Sequence, residues 1–282
     1  MKIRKAVVTA AGPGQGGLPL QRLVDRDGVA KTAIEMIIEE IDSAGIESIA
    51  IVLNPGSEDA YREAAGLYRD RLTFLTQHSA GPGYGQAIVS SRSFVGNEPF
   101  LHMVGDHLCF SKNQKRCAAQ LCEIAASQEC TVSAVQATRE SLLPEFGTVG
   151  GSRVQELDRV FEVKRVIEKP TPTIAEQELM TAGFRSGTYL CFFGMHVLMP
   201  SIFERLEEAI AIKSRPIPLT DGLDATLARE RYLAYEIYGY RYNLGSKYGL
   251  LTSQLALGLS GVDRDRVLTQ LIEILEIGRA HV

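Results

Sequence analysis

The chain has 282 residues, 45% hydrophobic and 23% charged, enough for a sizeable α/β core without a disulfide or metal staple. Its net charge of −4 argues against non-specific nucleic-acid binding, so no nucleic-acid partner is expected. No apolar run approaches the roughly 18 residues of a membrane span, so no membrane association is expected either.

The N-terminus, MKIRKAVVTAAG, is basic and then apolar. The apolar part is short and Gly and Pro follow at once, so residues 5–11 read as a buried first strand rather than a signal peptide. Residues 32–45 carry Ile34, Ile37, Ile38 and Ile41 at helical spacing and stop at a glycine. Strands are expected at 48–54 and 72–77, with a helix between them that starts at Ser57 ahead of acidic residues. A helix at 85–95, a strand at 99–106 ending in Asp106, a helix at 113–127 and a strand at 130–137 complete the first half. The second half is less regular. Strand-like runs lie at 159–167, 187–193 and 232–238, and helices are expected at 196–209, 219–229, 247–257 and 263–276.

The β-α alternation implies a mostly parallel mixed sheet with helices on both faces, an α/β fold binding its ligand beyond the carboxyl ends of the strands. The five cysteines are scattered and form no CxxC pair, which suits reduced, buried thiols in a cytoplasmic protein. His78, His102, His107 and His196 have no metal-ligand spacing, and His107 draws notice only because it follows Asp106. Residues 276–282, EIGRAHV, back-translate to a sequence that resembles a common sequencing adapter. They are expected to be a non-native tail, and His281 is discounted with them.

The loop after the first strand, AAGPGQGGLP, is rich in glycine, which lets backbone N–H groups approach phosphate. No Gly-Lys-Ser/Thr follows, so the loop is not a Walker phosphate motif. More specific is the order of five stretches: KAVVTAAGPGQGGLP, GPGYGQAI, MVGDHL, VIEKP, and PLTDGLD through NLGSKYG. Together, over about residues 5–258, they resemble the sugar-1-phosphate nucleotidyltransferases, most nearly the bacterial UDP-glucose pyrophosphorylase branch.

The resemblance implies a Rossmann-like GT-A fold, the nucleotide-diphospho-sugar transferase type. It implies a single domain over 1–275, with a nucleotide-binding half at about 1–140 and a sugar-binding half at about 141–260. It implies in-line attack of a sugar 1-phosphate on a nucleoside triphosphate, with Mg²⁺ as principal neutraliser, release of pyrophosphate, and an NDP-sugar such as UDP-glucose as product. The partners would be these small molecules, with a homo-oligomer possible. Ala10, Ala11, Gly12, Gly14, Gln15, Gln77 and Gly83 match nucleotide-binding positions. Gly147, Glu168, Lys169, Gly187 and Lys247 match sugar-phosphate positions, and Asp106 and Asn243 match the two metal positions.

Two departures stand out. The family loop reads G-x-G-T-R, with its Arg against the triphosphate, whereas here Gln15 and Gly16 occupy the Thr-Arg positions. Neither replaces a bidentate, permanently charged clamp, and Arg22, helped by Lys31 or Arg26, is expected to supply the missing cation. Asn243 stands where the family has its second metal-binding Asp. A charge pair at about 4 Å is worth about 4 kcal/mol at an effective dielectric near 20, so metal affinity should fall. Two functional readings result: a transferase with Asp106, Lys169 and Arg22 as its catalytic residues, or an impaired relative that binds nucleotide or nucleotide sugar in a regulatory or structural role. A dehydrogenase is disfavoured, because the second strand ends in Asn54-Pro55 rather than in an acidic residue.

Overall fold

The structure, a computed structural model, describes residues 1–282 apart from 13, 15, 78–82 and 280–282. The first half contains β1 (Lys5–Thr9), β2 (Arg22–Val24), β3 (Ala30–Thr32), α1 (Ala33–Asp42), β4 (Ser48–Leu53), α2 (Glu58–Ala64) and β5 (Leu72–Thr76). It continues with α3 (Tyr84–Val89), α4 (Arg92–Val95), β6 (Phe100–Val104), β7 (His107–Ser111), α5 (Cys117–Gln128) and β8 (Thr131–Arg139). The second half contains β9 (Thr148–Arg153), β10 (Val160–Ile167), α6 (Pro172–Glu178), β11 (Thr188–Leu198), α7 (Ile202–Ile212) and α8 (Leu219–Thr226). It ends with β12 (Tyr232–Glu236), β13 (Gly239–Asn243), α9 (Gly249–Ser260) and α10 (Arg264–Arg279).

One sheet of nine strands spans both halves in the order β5-β4-β1-β6-β11-β8-β12-β10-β9. Strands β5, β4, β1 and β6 are mutually parallel, β12 is parallel to β8, and β10 and β11 run against their neighbours. The expected mixed sheet with its parallel first half is therefore present. Consecutive residues of a strand face opposite sides of a sheet. Accordingly Val8 packs with Ile34, Ile38 and Leu121 of α1 and α5, while Val7 packs with Ile88, Phe203 and Leu223 of α3, α7 and α8. This double burial explains why β1 and β4 read as unbroken apolar runs. Helix α1 starts in a capping box: the Thr32 hydroxyl accepts from the Glu35 amide, and the Glu35 carboxylate accepts from the Thr32 amide at 2.9 Å.

Three expectations are corrected. The segment expected as a helix from 196 begins as strand, because His196 and Leu198 pair with His102 and Phe100 of β6, and α7 starts only at Ile202. The helix expected at 85–95 is broken into α3 and α4. Asp106 does not end a strand: β6 stops at Val104, and Gly105 and Asp106 turn directly into β7. The hairpin β2–β3, strands β7, β9 and β13, and helix α6 were not foreseen; the hairpin strands are only three residues long and carry no usable period. No described helix is long and apolar enough to cross a membrane. The five cysteines are unpaired, four of them buried.

Gly194 sits at φ +85° in β11, where the register against β8 shifts between Phe192 and His196. A Cβ there would lie 2.8 Å from Val104 Cγ2, on the strand that leads to Asp106. Gly194→Ala is expected to cost about 1–3 kcal/mol, lowering Tm by roughly 2–4 °C per kcal/mol in scanning calorimetry. An unchanged Tm would contradict the strain assigned to this bulge.

Candidate active site

The parallel strands run out at one edge, and the chain beyond them stays tightly laddered. The Ala10 amide donates to the Val52 carbonyl at 2.9 Å, the Gly105 amide to Thr9, and the Gln77 amide to Leu53, each at 2.9 Å. These segments wall a cleft of about 790 Å³. Into it converge Ala10, Ala11 and Gly12 from β1, Gln77 from β5, Gly83 before α3, and Asp106 after β6. From the second half come Glu168 and Lys169 after β10, and Asn243 at the end of β13. A pocket at the carboxyl ends of parallel strands is where an open α/β sheet places its ligand.

Asp106 and Asn243 are neighbours for a definite reason. β7 and β13 pair antiparallel with Asn243 opposite His107, and the Leu244 amide donates to the Asp106 carbonyl at 2.8 Å. The Asp106 Oδ1 lies 2.7 Å from His107 Nδ1. Burial pushes the Asp106 carboxyl up, but the hydrogen bond and charge of His107 pull harder, and the net position is below the ordinary carboxyl value. The Asn243 Oδ1 accepts the Gly245 amide at 2.8 Å, which identifies that atom as oxygen and leaves it one lone pair.

On the opposite wall, Lys169 adopts φ +46°, a left-handed conformation that is costly for a non-glycine residue. Its amide donates to the Phe146 carbonyl at 3.2 Å, and this fixes the turn. The Thr220 hydroxyl donates to Glu168 Oε2 at 3.1 Å. The protein packed around Glu168 raises its pKa, and the Thr220 bond and the Lys169 charge only partly offset this. Beneath the cleft, the Tyr84 hydroxyl lies 3.3 Å and Thr9 Oγ1 3.2 Å from His102 Nε2, with His102 held neutral by burial.

Five candidates are not brought into the cleft. Arg22 donates to the Ala30 carbonyl across its own hairpin at 3.1 Å and is exposed. Lys247 is exposed, 5.5 Å from the Tyr248 ring. Gly14 is exposed. Gly147 is not among the lining residues and has no room for a Cβ, because Phe192 and Thr220 would lie 2.7 and 2.9 Å away. Gly187, at φ +75°, accepts the Glu140 amide and makes a turn. Gln15 lies outside the described residues, as do His78 and His281. The other stand-in cation, Lys31, is occupied by Asp25 at 2.8 Å and Glu39 at 2.7 Å, and Arg26 donates to the Ser260 carbonyl. Among the described lining residues Lys169 is thus the one cation, facing Asp106, Glu145 and Glu168. Asn54, Tyr84 and Glu145 also line the cleft and were not anticipated. Glu145 was within reach of inference, since it lies two residues before Gly147.

Residues 6–242 match the nucleotidyl transferase family, and the chain belongs to it. It is 27% identical, over 99% of both chains, to a UTP–glucose-1-phosphate uridylyltransferase of Mycoplasma genitalium. It is 28% identical to the protein of that name in Streptococcus pneumoniae, over 92% of this chain and 91% of the relative. In three dimensions it superposes on a UDP-glucose pyrophosphorylase solved with UDP-glucose, with a TM-score of 0.74 at 26% identity, covering 90% of this chain and 98% of that one.

The Asp106–His107 pair makes a pH-dependent contribution. A carboxyl held below its ordinary value stabilises the fold above the unfolded-state pKa, and that contribution disappears as pH falls through the folded-state value. With a chelator present, His107→Phe is expected to cost about 1.5–3 kcal/mol at neutral pH, the worth of a hydrogen bond to a charged group. The gap between variant and parent should narrow at acid pH as Asp106 becomes protonated, and the Asp106 carboxyl should titrate at a higher pH in the variant by carbon NMR. A gap that is the same at both pH values would refute the pairing.

Proposed function

We propose that this chain is a nucleotidyltransferase that joins UTP to glucose 1-phosphate, releasing pyrophosphate and forming UDP-glucose. The observation that carries this reading is the convergence of Asp106, Glu168 and Lys169 in one cleft from separate strands. The full-length similarity to relatives bearing that name supports the choice of substrates.

The chemistry asks for little acid–base work. A sugar 1-phosphate is largely ionised at neutral pH, so its oxygen attacks the α-phosphorus without a general base. What remains is alignment and charge. Lys169, fixed by the Phe146 carbonyl, reaches toward the phosphates. Glu168, held by Thr220, accepts from sugar hydroxyls, and Gln77 and Gly83 border the base.

The metal is proposed to be Mg²⁺. Among the described residues no cluster of three or more His, Cys, Asp or Glu could hold an ion. What the cleft offers is the second oxygen of Asp106 and the remaining lone pair of Asn243 Oδ1. Such a sparse oxygen set suits Mg²⁺, which keeps its waters and takes phosphate oxygens as ligands. When bound, it would neutralise charge building on the triphosphate. Asp106 and Asn243 would hold it.

The position of Arg22 gives a second reading a specific footing. With Lys169 the one described cation in the lining, the cleft resembles a site that holds a nucleotide sugar more than one that drives its formation. Pyrophosphate release from UTP and glucose 1-phosphate with Mg²⁺ decides between the two. Release that falls by about 10²-fold or more in Asp106→Ala supports the transferase. No release, with UDP-glucose still binding, supports the second reading.

The space for the missing cation is still there. A Cβ at Gly16 would sit 3.6 Å from the Ala10 carbonyl and 3.8 Å from Asn54 Nδ2, in ordinary contact with two lining residues. The Tyr61 hydroxyl anchors the Gly16 carbonyl at 2.8 Å. Gly16→Arg is therefore expected to fold and to raise kcat/KM for UTP by about 10²-fold, the usual effect of one preorganised charged donor. A folded Gly16→Arg protein with unchanged kcat/KM would show that the loop does not face the triphosphate.

A further inference from the structure

Behind the cleft, on the far side of Asn243, lies a separate cavity of about 240 Å³. It is lined by Gln136, Thr138, Arg139, Phe146, Arg241 and Asn243. Arg241 lies in β13 opposite Cys109 of β7, with its guanidinium stacked over the Phe146 ring at 3.8 Å. No carboxylate comes within ion-pairing distance of it among the described residues, and its Nε is fully buried without a partner. Its only described side-chain acceptor is Gln136 Oε1, 3.5 Å from Nη1. Burial of a cation without a counter-charge is expensive, and a buried donor left unpaired adds to that cost.

The two carboxamides and the second guanidinium of the cavity keep donors free. Gln136 Oε1 accepts the Arg241 backbone amide at 3.3 Å, so the oxygen is identified and the amide NH₂ is left over. Asn243 Oδ1 accepts the Gly245 amide, which leaves its NH₂ over in the same way. Thr138 spends its hydroxyl proton on the Gln136 carbonyl. Arg139 is exposed and makes no side-chain hydrogen bond or ion pair with a described residue. A guanidinium stacked on a ring keeps its N–H edge free, because those bonds lie in its plane.

We propose that this cavity is an oxyanion subsite that takes inorganic phosphate, or the phosphate end of a small phosphorylated molecule, between Arg139 and Arg241. The volume admits a tetrahedral oxyanion, and two guanidinium groups with two amide donors match its oxygens. The state of Arg241 agrees. Burial draws its pKa down to about 10, so it stays cationic at neutral pH in a place that supplies too little negative charge. Glu145 is the one carboxylate whose charge bears on it, and that group faces the main cleft. The subsite stands whether or not the main cleft turns substrate over.

The test is a calorimetric titration of inorganic phosphate into the full chain, with a chelator present and nucleotide absent. A single saturable site is expected, in the millimolar range on the order of 1 mM. Lys169→Ala should leave it intact, because Lys169 belongs to the other cavity. Arg139→Ala should weaken it by about tenfold, the worth of one charge-assisted hydrogen bond. Gln136→Glu keeps the acceptor for the Arg241 amide and places a carboxylate beside the guanidinium. It should fold, melt higher than the parent in phosphate-free buffer, and no longer bind phosphate. Absence of phosphate binding by the parent overturns the proposal. So does binding that is lost in Lys169→Ala but kept in Arg139→Ala and Gln136→Glu, since the anion then sits in the main cleft.

Discussion

Everything at the working end of this molecule hangs on one short antiparallel pairing, β7 with β13. It sets Asn243 opposite His107 and closes with the Leu244 amide on the Asp106 carbonyl. The residues it joins are far apart in sequence, so the pairing pins the carboxyl edge of the parallel half to the second half. It also separates two cavities. On one side is the cleft that receives Asp106, Glu168 and Lys169. On the other is the small pocket around Arg241, two residues before Asn243 on the same strand. A strand alternates its side chains, so Arg241 and Asn243 share a face. That face looks toward the sheet, and Asn243, at its end, lines both spaces.

The charge of the cleft is unusual for a site offered to polyanions. Three carboxylates line it against one described ammonium, and the stand-in cations are spent elsewhere. Burial raises the pKa of Glu168, while His107 holds the Asp106 carboxyl below its ordinary value, which keeps it charged and ready for a cation. Two carboxyl groups in one cleft are thus driven in opposite directions by their neighbours, a pattern associated with functional sites rather than with packing.

How much of this was legible in the sequence depended on the range of the interaction. The long strands and α1 could be read because double burial writes continuous apolar runs and because Ile34, Ile37, Ile38 and Ile41 recur at helical spacing. Glu168 and Lys169 could be placed because their motif has a fixed order relative to the others. The β7–β13 pairing could not, since GYRYN and HLCFS are short and mixed in polarity and meet only in the fold. Arg22 illustrates the converse error. Its distance in sequence from the loop suits a phosphate contact, but the unanticipated hairpin turns it onto its own Ala30 carbonyl. Gly147 and Gly187 were read as bordering a sugar; neither lines the cleft, and what lies close to them is Phe192 and Thr220 at the first and a turn at Glu140 at the second. A glycine reports that something is close, not what it is.

The two departures from the family pattern belong together. The loop has lost a positive charge at Gly16, and the metal position has lost a negative one at Asn243. Each alone would shift the potential at a bound triphosphate by about 4 kcal/mol for a charge at about 4 Å, in opposite senses. The two changes cancel in net charge but not in position: one removes a donor from the loop after β1, the other a charged oxygen from the end of β13. Long-range attraction depends on net charge, whereas stabilisation at the α-phosphorus depends on where each charge sits. Binding and turnover therefore respond differently to the pair.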